Sequence, residues 1–94
     1  MIDLEWDQAK RAANLLKHGV DFVEAGEVLA DPLHVLIHDD RRDYGEDRFI
    51  IVGKNHRDAL RVLVMSPRGE NIRVISLRPA TAYERGIYER TERH

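Results

Sequence analysis

The sequence predicts an α+β domain with two N-terminal helices, a four-stranded antiparallel sheet and a C-terminal helix. Three observations predict it. Apolar residues recur at helical spacing through residues 8–29. Four β-rich runs then follow at 33–38, 48–53, 60–66 and 71–78, joined by connections too short for crossover helices. Finally, Thr81 with Glu84 three residues later forms a capping box behind Pro79 and opens a last helix.

Ile2 to Trp6 alternates and reads as a short leading strand. Asp7 is the N-cap of a first helix over Gln8 to His18, and Gly19 supplies its C′ residue. Its expected buried stripe is Trp6, Ala9, Ala13 and Leu16, with Lys10, Asn14 and Lys17 on the opposite side. Asp21 and Glu24 begin a second helix that buries Phe22, Ala25, Val28 and Leu29 and stops at Asp31-Pro32. The first strand is Leu33–His38. A polar loop of mixed charge covers residues 39–47, where mobility is expected. The second strand is Arg48–Gly53, and Lys54–Asp58 turns the chain.

The last two strands, Leu60–Ser66 and Asn71–Arg78, form a hairpin around Pro67-Arg68-Gly69-Glu70. Strict alternation places Arg73, Ile75 and Leu77 on one face, and Ile72, Val74, Ser76 and Arg78 on the other. The final helix covers about Ala82 to Arg90, with Tyr83, Ile87 and Tyr88 as its contacts. Gly86 weakens it by about 1 kcal/mol relative to alanine, so it relies on docking. One sheet face should bury against the first two helices. The other stays open or is partly covered by the last helix.

Ninety-four residues suffice for one domain, spanning 1–94. No apolar run approaches the roughly 20 residues a membrane span needs, and no signal peptide opens the chain. With no cysteine there is neither disulfide nor thiolate chemistry, and the cytoplasm is the expected compartment. A net charge of −2 argues against a surface that binds nucleic acid everywhere. The charge is unevenly spread, however. Residues 1–33 hold seven acids against three bases, whereas residues 54–78 hold six bases against two acids. A basic sheet on an acidic scaffold suits a local anionic ligand such as RNA, or the two halves neutralise each other.

Arginine inside an apolar strand needs an anionic partner, either a structural carboxylate or a bound phosphate. Arg57 and Arg61 read as solvated, and His56 as an exposed turn residue. Trp6 reads as helix packing. His34 and His38 share a strand face but lack a third ligand, so neither a metal nor a cofactor is expected.

Several stretches, in order, resemble the BrnT family of bacterial toxins. They are Glu5-Trp6-Asp7 with Lys10 and Asn14, and Lys17-His18-Gly19-Val20 with Phe22 and Glu24-Ala25. Gly45-Glu46-Asp47-Arg48-Phe49 with Gly53 follows, and then Arg73-Val74-Ile75-Ser76-Leu77-Arg78 with Ala80, Glu84 and Arg85. The resemblance implies a RelE-like ribonuclease toxin. It also implies inhibition by a BrnA-type antitoxin, a ribbon-helix-helix DNA-binding protein, in a complex that represses its own operon.

Metal-independent RNA cleavage needs a base for the 2′-OH, cations for the phosphorane and an acid for the leaving 5′-oxygen. Arg48, Arg73 and Arg78 lie in matched segments on strands, and the planar guanidinium suits phosphate. Arg73 and Arg78 are expected on opposite faces unless a bulge or the strand end turns Arg78. Lys17 and His18 are the other catalytic candidates. His18 equally fits a cation stabilised at a helix C-terminus, and Lys17 a solvated side chain. Glu46 reads as a base or as the ion-pair partner of Arg48. An interaction module that regulates a DNA-bound repressor without catalysis is the alternative function.

Overall fold

The computed structural model describes residues 3–92. In chain order it runs β1 (Leu4–Glu5), α1 (Gln8–His18), a 3-10 turn (Phe22–Glu24) and α2 (Ala25–Ala30). It continues with β2 (Val35–His38), β3 (Phe49–Lys54), β4 (Leu60–Arg68), β5 (Asn71–Pro79) and α3 (Ala82–Glu92). The sheet has five strands rather than four, in the order β1-β5-β4-β3-β2. It is mixed rather than antiparallel, because β1 pairs parallel with β5 through Leu4↔Ile72 and Glu5↔Arg73. Ile2 of the expected leading strand lies outside the described residues. The second helix is also shorter than expected: its first turn is 3-10, with Asp21 accepting from the Val23 N–H.

Local signals set the helix ends. The Asp7 carboxylate accepts from the N–H groups of Ala9 and Lys10, and Gly19 takes the left-handed conformation at φ 70°. At the other end of the chain Glu84 accepts from the Thr81 N–H, and the Thr81 hydroxyl accepts from the Glu84 N–H.

Two cores sit on the two faces of the sheet. On one face, Phe22, Ala25 and Val28 pack on Ile51, Leu63, Met65, Val74 and Leu77. Gly53 permits this close approach, since a Cβ there would stand 3.0 Å from the Val28 carbonyl oxygen. On the other face, Tyr88 of α3 packs on Val52, Leu60 and Val62. That core spans β2, β3 and the Leu60–Val62 end of β4, and Arg73, farther along β5, stays partly exposed on this face.

α1 departs from its expected orientation. Of its residues only Asn14 is buried, while Ala9, Ala13 and Leu16 face solvent. Polar contacts hold the helix instead. Asn14 bonds the backbone of Leu77 and Val20, and Arg11 forks onto Asp21 at 2.7 and 2.9 Å. Trp6 packs edge-on against Phe22 with centroids 6.0 Å apart, as a core residue should.

Candidate active site

A one-residue irregularity builds the site. Val64 pairs with Ser76, but the next residue, Met65, pairs with Val74, so Ile75 has no partner and bulges from β5. The bulge reverses the alternation beyond it. Val74 and Leu77, three residues apart, therefore both enter the helix-side core, at 2% and 0% exposure. Arg73 and Arg78 fall together on the opposite face, across from Ser66 and Val62 of β4. The expected opposed facing of the two arginines is thus corrected by the bulge. Their β4 partners are four residues apart, so about 13 Å of strand separates them.

Arg48 immediately precedes β3. Continuing the register past Phe49↔Met65 sets it opposite Ser66, whose other neighbour is Arg73. Arg48 and Arg73 therefore flank Ser66, which is tied down by donating to the Asp47 carbonyl at 2.7 Å. The Arg48 guanidinium lies 4.0 Å from the centre of the Tyr44 ring and 3.4 Å from Glu46. Of the two readings of Glu46, this geometry gives the ion pair.

The 39–47 loop contributes a fourth arginine that the sequence did not single out. Buried Asp39 accepts two bonds from Arg41, both at 2.8 Å, and one from the Tyr44 hydroxyl at 3.2 Å. The Arg41 fork holds the Asp39 carboxyl far below the usual carboxylate range. Arg41 also stands near enough to Arg78 for their charges to repel: Glu84 raises the Arg78 pKa and Arg41 opposes that rise. The signal that hid Arg41 is its setting, a run of alternating charge that reads as solvated loop.

Compensation differs among these cations. Arg78 donates to both oxygens of Glu84 at 2.7 Å, and this fork pulls the Glu84 carboxyl down to about 2. Arg73 is half-buried, and its side chain has no hydrogen bond or ion pair among the described residues. It is the unbalanced charge of the group.

Lys17 and His18 ride on the last turn of α1, which the Asn14 contacts set against β5. No hydrogen bond or ion pair joins either of them to the arginines among the described residues. Arg61, expected to be solvated, is instead only 17% exposed and pairs with Glu24 at 3.2 Å. Arg57 does face solvent, as does His56. Among the described residues no group of three or more His, Cys, Asp or Glu side chains is placed to hold a metal ion. No helix among them is long and apolar enough to cross a membrane.

Residues 6–84 match the family model described as the ribonuclease toxin BrnT of a type II toxin–antitoxin system. The chain belongs to the BrnT family. A solved relative agrees with this membership in fold: the crystal structure of the Brucella abortus ribonuclease toxin BrnT, determined at 1.1 Å. It is 25% identical with a TM-score of 0.69, over 86% of this chain and 99% of that one. No curated protein matches. The family model thus spans α1 through the first turn of α3 and includes Arg41, Arg48, Arg73 and Arg78, with the BrnT-like segments around Arg48 and Arg73–Arg78.

Proposed function

We propose that the chain is a metal-independent endoribonuclease toxin of RelE-like architecture that acts on RNA in the cytoplasm. The observation that carries this reading is the group of arginines that β3, the β5 bulge and the 39–47 loop bring together, of which Arg73 alone has no ion pair among the described residues. An anionic backbone is the natural partner of an unbalanced, half-buried guanidinium. Arg48 and Arg73 on either side of Ser66 grip the scissile phosphate, and Arg78 and Arg41 hold the chain beside it. Fixed cations aimed at a phosphorane stabilise the charge that builds there when the 2′-OH attacks phosphorus. The bond to the 5′-oxygen breaks, and a 2′,3′-cyclic phosphate is left on the upstream fragment. Glu84, held near 2, stays ionised at neutral pH and orients Arg78 rather than moving protons. Lys17 and His18, on the last turn of α1, remain candidates for proton transfer.

A BrnA-type ribbon-helix-helix antitoxin silences this group by offering carboxylates to Arg73 and its neighbours. Such antitoxins dimerise through their strands, so two toxins and two antitoxins form the complex. DNA is then reached only through the antitoxin. The arginines already forked onto Asp39 and Glu84 favour a second reading, in which this group binds a partner protein and cleaves nothing. Incubation of purified toxin with single-stranded RNA in EDTA decides between them. Fragments ending in 2′,3′-cyclic phosphate support the nuclease. Intact RNA at equimolar protein supports the binding module.

A further inference from the structure

α1 is built the wrong way round for a helix that only packs on its own domain. A surface helix of a small domain buries its apolar stripe. Here Leu16 is 91% exposed and Leu15 is 46% exposed. Ala9, Ala12 and Ala13 are exposed as well. Ala9, Ala12, Ala13 and Leu16 recur at helical spacing, so they form one continuous row along the outer side. The three alanines keep the row low, which lets the backbone of another helix approach. The attachments of the helix to its own domain, through Asn14 and Arg11, leave this row free.

The row is bordered by one sign of charge. Lys10 and Lys17 are both exposed, and seven residues of spacing put them on the same side of the helix. No acidic residue occurs within Gln8–His18. A low apolar strip rimmed by lysines is complementary to an apolar strip rimmed by carboxylates.

We propose that the outer face of α1 is the docking surface for an acidic amphipathic helix of the antitoxin. A second copy of this chain is the poorer occupant, because a two-fold α1–α1 contact sets Lys10 and Lys17 against their own copies. An acidic helix meets the same row with attraction at both lysines. The position also fits inhibition. α1 is tied to β5 at Leu77, next to Arg78, so a partner anchored on α1 is already beside that end of the arginine group. This inference rests on the toxin–antitoxin reading and adds to it the surface and the chemistry of the partner.

Leu16→Asp tests it, since a side chain this exposed can be replaced without disturbing the fold. Thermal melting should match wild type, and RNA cleavage by the isolated variant should be unchanged. Affinity for the purified antitoxin, by titration calorimetry, should fall at least tenfold. Lys10→Glu should weaken the same binding and flatten its dependence on salt. Wild-type affinity in both variants overturns the proposal. So does an isolated toxin that sediments as a dimer and becomes monomeric on Leu16→Asp, since the row is then a self-contact. Failure of the wild-type toxin to cleave RNA refutes the nuclease reading alone and leaves the binding result intact.

Discussion

Asn14 on α1 reads both backbone groups of Leu77 on β5. Its Nδ2 donates to the Leu77 carbonyl at 2.7 Å, and its Oδ1 accepts from the Leu77 N–H at 3.2 Å. The carboxamide thus does for the β5 edge what a neighbouring strand would do. Nδ2 also donates to the Val20 carbonyl at 3.0 Å, so one side chain joins the helix, the turn after it and the sheet.

Asn14→Ala should therefore be costly. It strips partners from backbone groups in a buried site, and the expected loss is about 2–4 kcal/mol in urea unfolding. Amide exchange should quicken first across residues 8–18, because no apolar core retains α1 once Asn14 is gone. A loss below about 1 kcal/mol would mean that water replaces the carboxamide.

Arg73→Ala should separate function from folding. The Arg73 side chain has no ion pair among the described residues, so its removal should leave the thermal midpoint within about 2 °C of wild type. RNA cleavage should fall at least tenfold. A variant that melts like wild type and still cleaves at the wild-type rate would take Arg73 out of the site.

What the sequence made legible was mostly local. The Asp7 cap, the turn at Gly19 and the Thr81–Glu84 capping box each need only a few consecutive residues, and each forms as read. The antiparallel hairpin of β4 and β5 is equally short-range. The bulge at Ile75 was not legible, because no glycine or turn residue marks it and only the pairing with β4 defines it. Strict alternation therefore separated Arg73 from Arg78, and only the alternative of a bulge kept them together. α1 was misread for a different reason. Apolar periodicity says which residues share a face, not whether that face is covered by this chain. Arg61 found Glu24 and β1 found β5 across long stretches of sequence, and such pairings leave no local trace.

Acid should weaken the fold in a defined window. The Arg78 fork lowers the Glu84 carboxyl from 4.5 to about 2 in the folded chain. A depressed carboxylate stabilises the fold fully above its unfolded pKa, and the contribution is lost as pH falls through the folded value. Asp39, held down chiefly by Arg41, acts with the same sign. Melting temperature should thus be flat near neutrality and decline as pH drops below about 4.5 toward 2. Glu84→Gln should shrink that decline, by an amount on the order of 2 kcal/mol because its side chain is only 17% exposed. An unchanged decline in this variant would place the acid-sensitive groups elsewhere, with Asp39 the first to examine.

Arg78 and Glu84 can be told apart by changing each. The fork between them ties the end of β5 to the first turn of α3 through two bonds of 2.7 Å. Arg78→Ala breaks it and leaves a largely buried carboxylate without its cation, which should lower the melting temperature by roughly 5–10 °C. Glu84→Gln breaks the same ion pair but keeps the guanidinium. If Arg78 binds the RNA backbone, Arg78→Ala should cut cleavage at least a hundredfold, while Glu84→Gln stays within about threefold of wild type at a comparable cost in stability. Arg78→Lys should fall between them, because it keeps the charge and loses the two-pronged geometry. Equal losses of cleavage in Arg78→Ala and Glu84→Gln would make the pair a strut for α3, and phosphate contact would then rest on Arg48, Arg73 and Arg41.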